Sequence, residues 1–268
     1  MSTSAPNVET EATQQSQTGL SILPSNLCPN IDHIKTEDDA PMDNVFSEKQ
    51  QRLLTEPLYT SWQAWKPFVA MANVGLFFAL KQPPLVPDVL LSLEVQIPAD
   101  IHPKANRSYF VWEYGKPPTV AIEIVSNKEG GEDQHKRIGY ARIGIAYYAI
   151  YDPDQHLSDE RLRIFRLNGI TYERLSQNPS QAYPLPSINL GLAIWRGEFE
   201  GCMDDWLRWI DSSGLVIPTG AEVAETERQR ADAESMRADA ESMRAEDERS
   251  RANKLAEQLR KLGFEPDL

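Results

Sequence analysis

The sequence has little cysteine, little histidine and no long hydrophobic run. Its two cysteines, Cys28 and Cys202, are too few and too isolated for a disulfide framework or a zinc site, which favours free thiols in a reducing compartment. No segment approaches the ~18 apolar residues that span a bilayer. The N-terminus lacks the basic and apolar regions of a signal peptide. We therefore expect a cytoplasmic protein without a membrane segment.

Positive charge is also scarce, with 27 Lys and Arg against 40 Asp and Glu and a net charge of −13. This balance argues against a protein that holds nucleic acid through bulk positive charge, but it leaves a local basic groove open. Part of the acidity lies in the two terminal segments. Six arginines could line a groove or could form a solvated face: Arg137, Arg142, Arg161, Arg163, Arg166 and Arg174.

The composition divides the 268 residues into three segments. Residues 1–42 are polar and are predicted to be disordered. Residues 43–217 are predicted to form the folded domain. In residues 218–268 the heptad RADAESM occurs twice, at 230–236 and 237–243, which is typical of a charged helix. The apolar seam is poor, so we favour a long solvated helix over a stable coiled coil.

Within the folded domain, the order strand, helix, strand around residues 119–153 predicts an α/β unit. Ile138 and Tyr140 or Ala141 are expected on the inner face of the helix. Asn168-Gly169 lies between two β-rich runs and predicts a tight hairpin of type I′. Near residue 45 a helix is expected to begin, capped by Asp43 or Ser47.

One carboxylate stands where ionisation is costly. Glu123 lies among Ile122, Ile124 and Val125 in a run that reads as a buried strand, and a lone charge there needs a positive partner. An Asp after a proline, like Asp88, is more often a turn device, and a lone helical lysine, like Lys136, is usually solvated. Together, however, two carboxylates and a lysine form a coherent set for Mg²⁺-assisted phosphodiester hydrolysis. Walker, G-x-S-x-G and H-E-x-x-H motifs are absent.

The motifs VPDVLLSL, VAIEIVSNKEGGEDQHKRIGYARIGIAYYAIYDP and RLRIFRLNGITYERL resemble the Uma-type restriction endonuclease family of the PD-(D/E)XK nuclease superfamily. The resemblance covers about residues 43–217. It implies an α/β fold in which a mixed nuclease sheet is flanked by helices. The positions that carry it are Pro87-Asp88, Glu123 with Ser126, Glu132, Lys136, Tyr140, Gly144, Tyr147-Tyr148 and Asp152-Pro153.

The resemblance also implies a role for each matching residue. Asp88 and Glu123 match the metal-binding carboxylates, and the backbone carbonyl of Ile124 would be a further ligand of Mg²⁺ or Mn²⁺. The superfamily lysine usually stands two residues after the Glu, where this chain has Val125. The resemblance implies that this lysine has moved to the following helix as Lys136.

Two functions follow as hypotheses. The first is a metal-dependent DNA endonuclease, acting as a homodimer to which the C-terminal helix makes a minor contribution. The second is a catalytically silent nuclease-fold module that binds or assembles through its helical tail. An unrelated α/β enzyme with a structural Glu123 is the poorest interpretation, because no other catalytic motif is present.

Overall fold

The structure is a computed structural model that describes residue 30 and residues 44–62, 66–126 and 132–262. Two compact units are present, Met1–Ile217 and Pro218–Leu268. Nearly all of the predicted disordered segment, residues 1–42, lies outside the described residues, as does Cys28. Cys202 is an exposed free thiol.

The described residues include eleven strands and four α-helices. The helices are α1 (Val45–Thr60), α2 (Val111–Tyr114), α3 (Arg137–Ile143) and α4 (Gly220–Lys261). The strands are β1 (Phe68–Ala72), β2 (Leu76–Phe77), β3 (Val89–Leu93), β4 (Tyr109–Phe110), β5 (Val120–Ile124), β6 (Tyr147–Tyr151), β7 (Leu162–Asn168), β8 (Thr171–Arg174), β9 (Tyr183–Leu185), β10 (Leu190–Phe199) and β11 (Cys202–Asp211).

The central element is a six-stranded sheet in the order β1-β3-β5-β6-β7-β8. Only the β5–β6 pair is parallel, and the other four pairs are antiparallel. β5 and β6 are buried along their whole length, as expected for strands covered on both faces. The predicted mixed α/β fold is therefore correct, and Glu123 lies in a central strand.

The connection between β5 and β6 is the predicted α/β unit. A π-helical turn, Glu132–Lys136, leads into α3, which ends at Gly144 with a left-handed backbone. Tyr140 is fully buried against the sheet, but Ile138 is 53% exposed. The expectation for Ile138 was wrong because residues two apart on a helix point about 200° apart, so burial of Tyr140 turns Ile138 outward.

Two local predictions need correction. The β7–β8 hairpin is present, but Asn168 pairs with Thr171, so Gly169 and Ile170 are the two turn residues. Positive φ occurs at Gly169 and not at Ile170, which is the pattern of a type II′ turn and not of type I′. Asn44 caps α1 by accepting a hydrogen bond from Ser47 N at 2.8 Å, so Ser47 is not the cap. Asp43 lies outside the described residues.

Helix α1 packs on one face of the large sheet together with the three-stranded sheet β11-β10-β9. Leu54 and Leu58 of α1, Ile122 and Ile124 of β5, and Trp209 of β11 belong to this core. The opposite face of the sheet carries a second core that includes Tyr140 of α3. Glu123 lies on this second face, since its strand neighbours Ala121 and Val125 belong to that core and side chains alternate along a strand.

The second unit is mainly the 42-residue helix α4. Thr219 and Glu222 begin it with a reciprocal capping box. Its charged side chains form pairs such as Arg228–Glu225 and Arg230–Glu227. The tail is therefore helical as predicted. Among the described residues, no helix combines the length and the apolar character that crossing a membrane requires.

Candidate active site

Asp88 and Glu123 stand opposite each other on neighbouring strands. Val89 of β3 pairs with Ile122 of β5, and continuing this antiparallel register by one residue sets Asp88 against Glu123. Partners in register share a face of the sheet. Asp88 is 9% exposed and Glu123 is 1% exposed, so both carboxylates are removed from water.

Glu123 has two donors from the segment that follows its strand. Lys136 Nζ donates to Glu123 Oε2 at 2.9 Å, and Tyr140 OH donates to Glu123 Oε1 at 2.6 Å. Lys136 and Tyr140 are four residues apart across the junction of the π-helical turn and α3, so they share a side of this segment. The Lys136 side chain remains 23% exposed, which leaves its ammonium in reach of solvent.

Asp88 is held from two other directions. The backbone amide of Ile124 donates to Asp88 Oδ2 at 2.6 Å, and Gln51 Nε2 of α1 donates to Asp88 Oδ1 at 3.3 Å. The Ile124 amide is available because the β3–β5 pairing ends at Val89 and Ile122. The site therefore lies where these two strands stop pairing.

Burial and repulsion dominate the electrostatics of this pair. Burial, reinforced by the neighbouring Asp88 charge, raises the pKa of Glu123 to about 8, although Lys136 and Tyr140 act in the opposite direction. Burial raises the pKa of Tyr140 well above its ordinary value, and the Glu123 carboxylate adds to this. The Tyr140 hydroxyl therefore keeps its proton in the neutral range and donates a hydrogen bond to Glu123.

A close contact helps to set the position of α3. A Cβ atom added at Gly139 would lie 2.8 Å from Leu85 Cδ1, in the segment just before Asp88. Glycine at this position lets the helix approach the segment that carries Asp88. The same helix carries Tyr140, so this contact bears on both sides of the site.

The structure brings Asp88, Glu123 and Lys136 to one place, and Ile124 contributes its amide there. Val125 is buried where the superfamily lysine usually stands. The side chain of Glu132 lies outside the described residues. Sequence reasoning missed Gln51, whose signal was a helical stripe in which the polar residues 47, 50 and 51 continue the Leu54 and Leu58 face.

Most of the arginines considered for a groove have local partners. Arg161 contacts Asp205 at 2.6 Å, and Arg166 lies 3.9 Å from Glu173. Arg174 forms an ion pair with Glu160. Arg137 lies over the Phe165 ring, 5.2 Å from its centroid, and Arg163 is buried. These contacts favour a solvated, internally paired face over an open basic groove.

The side chains at this site determine which metal it could hold. In the described ranges, no three His, Cys, Asp or Glu side chains gather into a metal-binding group. The two carboxylates are hard oxygen donors, and Mg²⁺ commonly binds through one or two carboxylates with water and phosphate oxygens. The residues present therefore fit a hard divalent cation and do not fit a structural zinc site.

The sequence resemblance led us to expect a carboxylate pair and a lysine on a mixed nuclease sheet, and the structure brings Asp88, Glu123 and Lys136 together. The sequence agrees, because the family Uma2, described as "Putative restriction endonuclease", matches residues 38–195. This is more than half of the chain, and the chain belongs to that family.

Among solved structures, the chain is similar to one described as a "putative nuclease belonging to DUF820" from Anabaena variabilis ATCC 29413. The two share 17% sequence identity, with 55% of this chain and 76% of the other covered, at a TM-score of 0.40. No curated protein matches the chain.

Proposed function

We propose that the protein is a metal-dependent endonuclease that hydrolyses phosphodiester bonds of DNA. The observation that carries the proposal is the buried Asp88–Glu123 pair with the Lys136 ammonium 2.9 Å from Glu123. Two carboxylates removed from water repel each other, and a divalent cation relieves this repulsion. Family membership supports the nuclease class.

Three groups would hold Mg²⁺ or Mn²⁺, namely Asp88, Glu123 and the backbone carbonyl of Ile124. The direction of the Ile124 N–H group supports the inclusion of the Ile124 carbonyl among these ligands. In a β-strand the N–H and C=O of one residue face the same side, and the Ile124 amide faces Asp88. All three groups offer the hard oxygen that such cations prefer.

When bound, the cation supplies an acidified water and neutralises charge on the phosphate. Lys136 then places a fixed positive charge beside the carboxylates, where it can orient the water or stabilise charge that develops on the phosphate. Tyr140 holds Glu123 from the opposite oxygen and keeps its rotamer fixed. Burial of Glu123 excludes bulk water, which strengthens each of these interactions.

The direct test is cleavage of supercoiled plasmid by the full-length protein with Mg²⁺, with Mn²⁺ and with EDTA. We expect nicked and linear products with either metal and none with EDTA. Asp88→Asn and Glu123→Gln should be inactive, whereas Glu200→Gln is the matched control because Glu200 also binds a lysine but lies between β10 and β11, outside the carboxylate pair. Metal-dependent cleavage that persists in the Asp88→Asn and Glu123→Gln proteins would contradict the proposal.

The alternative function is a catalytically silent nuclease-fold module. The observation that favours it is the pairing of Arg161, Arg166 and Arg174 with carboxylates, which reduces the positive charge available to DNA. A wild-type protein that neither cleaves nor binds duplex DNA, and whose oligomeric state depends on the helical tail, residues 218–268, would support this module instead.

We further propose a cytoplasmic homodimer in which residues 43–217 form the nuclease domain. The reason for a dimer is that cutting two strands calls for two sites. Residues 218–268 would make a minor contribution, because α4 exposes Met236 and Met243 but no broad apolar face.

A further inference from the structure

Helix α1 contains two consecutive buried glutamines, Gln50 and Gln51. A buried amide needs hydrogen-bond partners, and adjacent helical residues point in directions about 100° apart. The two side chains accordingly meet different parts of the molecule. They offer a comparison in which residue type, helix and burial are matched.

Gln50 fastens the helix to the second sheet. Its Nε2 donates to Leu207 O at 2.9 Å, and Leu207 N donates to Gln50 Oε1 at 2.9 Å. Trp209 Nε1 also donates to Leu54 O at 2.7 Å. These bonds join α1 to β11 and fix the axial position of the helix. Gln50 therefore has a structural role away from the carboxylate pair.

Gln51 reaches the candidate site instead. Its Nε2 donates to Asp88 Oδ1 at 3.3 Å, while its Oε1 accepts from Asn73 Nδ2 at 3.3 Å. The Asn73 contact matters because an amide can present either its oxygen or its nitrogen. With Oε1 engaged by Asn73, Gln51 presents its NH₂ group to the carboxylate.

Asn73 is itself tied to the same residue. Its backbone N donates to Asp88 O at 3.1 Å, and its φ of 53° lies in the left-handed region that asparagine tolerates. Asn73 therefore links the main chain of Asp88 to the side chain that orients the Asp88 carboxylate. The Asn73 side chain is exposed, so it can be changed without opening the core.

A neutral hydrogen-bond donor such as the Gln51 amide can orient the Asp88 carboxylate without neutralising it. Donors on Oδ1 and Oδ2 fix the rotation of the Asp88 carboxylate, while each oxygen has a second lone pair. A lysine in this position would compensate the carboxylate charge and compete with a cation. The amide of Gln51 orients the ligand and leaves its charge unchanged.

We infer that Gln51, oriented by Asn73, is a positioning residue that holds the Asp88 carboxylate in the rotamer that binds the metal. The inference rests on the proposed metal-dependent function. Groups that orient a metal ligand typically contribute 10–100-fold to metal affinity. Gln51 acts through Asp88 and contacts neither the metal nor the substrate.

The test is Mn²⁺ binding to the full-length protein by isothermal titration calorimetry, without DNA. Gln51→Leu should weaken Mn²⁺ binding by about 10-fold or more. Gln50→Leu should lower the Tm but leave the affinity within about twofold, since its bonds are to β11. Asn73→Gly, which permits the same φ and removes the amide, should weaken binding in the same direction by a smaller factor.

Cleavage gives an independent signature. Raising the Mn²⁺ concentration should restore the rate of the Gln51→Leu protein, because the defect lies in metal affinity, whereas the rate of Lys136→Ala should not recover.

The outcomes are distinguishable. A folded Gln51→Leu protein that binds Mn²⁺ within twofold of the wild type overturns the inference, as does an equal loss in the Gln50→Leu protein. If Gln51→Leu fails to fold, Asn73→Gly decides, and unchanged affinity there overturns the inference. Failure of the wild type to bind Mn²⁺ overturns the proposed metal-dependent function itself.

Discussion

The carboxylates of Glu123 and Glu200 both bind a lysine, but their pKa values are shifted in opposite directions. Glu123 accepts hydrogen bonds from Lys136 and Tyr140, and Glu200, between β10 and β11, accepts them from Lys49 and Arg52. Burial and the charge of Asp88 raise the pKa of Glu123 to about 8. Arg52 and Lys49 lower the pKa of Glu200 to about 2.

The difference shows that a cationic partner alone does not determine the direction in which the pKa of a carboxylate is shifted. Glu200 is solvated and has two cations, so its charge is fully compensated. Glu123 is desolvated and faces a second carboxylate, so one lysine does not suffice. Of these two carboxylates, only Glu123, with Asp88 beside it, would be stabilised by a divalent cation. We therefore propose the functional site at Glu123.

The largest expected difference between Glu123 and Glu200 is in the stabilisation of the protein by a bound metal. With Mn²⁺ at 100 times its Kd, binding stabilises the folded protein by about 2.7 kcal/mol. We expect Asp88→Asn and Glu123→Gln to remove most of the metal-dependent rise in Tm measured by differential scanning fluorimetry. Glu200→Gln should keep that rise. A full metal-dependent rise in both site variants would show that the metal binds elsewhere.

The second prediction concerns Lys136, the lysine that pairs with Glu123 as Lys49 pairs with Glu200. Loss of one preorganised charge at a catalytic site costs ~10²–10³-fold in rate. Lys136→Ala should lose this factor in plasmid cleavage yet bind Mn²⁺ nearly as the wild type does, because an ammonium is not a metal ligand. Lys136→Arg should be almost as impaired, since a planar guanidinium does not replace a compact charge.

A control for this prediction is Lys116→Ala, which removes a lysine from an exposed ion pair with Glu94 and should change the rate by less than about twofold. Cleavage by Lys136→Ala near the wild-type rate would remove Lys136 from the catalytic set.

The third prediction is an opposite pH dependence of stability for the two carboxylates. The folded protein binds the Glu123 proton more tightly than the unfolded chain, so this contribution to stability is full below about pH 4.5 and is lost as the pH rises through about 8. Glu200 contributes stability above about pH 4.5, which is lost as the pH falls through about 2.

Urea unfolding in EDTA between pH 5 and 9 should reveal the first effect. Stability lost by the wild type across this range should be partly retained by Glu123→Gln, whose amide does not titrate. Identical slopes for the wild type and Glu123→Gln would contradict the raised pKa of Glu123.

The fourth prediction extends the comparison to α4, whose ion pairs are exposed like those of Glu200. We expect residues 1–217 to remain soluble and folded without the tail, with a Tm close to that of the full chain. Light scattering coupled to size exclusion should still report a dimer. An insoluble truncated protein would contradict this expectation.

The smallest effect is expected at Glu200 itself. Exposed ion pairs contribute little, so Glu200→Gln should shift the Tm by no more than about 4 °C. A larger shift would show that this exposed pair contributes more to stability than its solvation implies.

Residue types and their order predicted the buried Glu123 strand and the strand, helix, strand unit around it, and the resemblance to the nuclease family implied the grouping of Asp88, Glu123 and Lys136. They were not sufficient where tertiary contacts decide. Gln51 reaches Asp88 because α1 packs on the sheet through contacts between residues distant in sequence, such as the bond from Trp209 to Leu54, 155 residues apart. The hairpin turn moved by one residue because the β7–β8 ladder sets the register, and Asn168 was drawn into the strand.

The two hydrogen bonds that hold Asp88 differ in how easily mutation can remove them. Gln51 can be lost through a single substitution of its side chain. The Ile124 bond comes from a main-chain amide, which every residue except proline retains. In a saturation library, position 124 should therefore tolerate several apolar residues. Position 51 should not tolerate residues that lack a side-chain amide. The placement of Asp88 is genetically robust on the side of β5 and vulnerable on the side of α1.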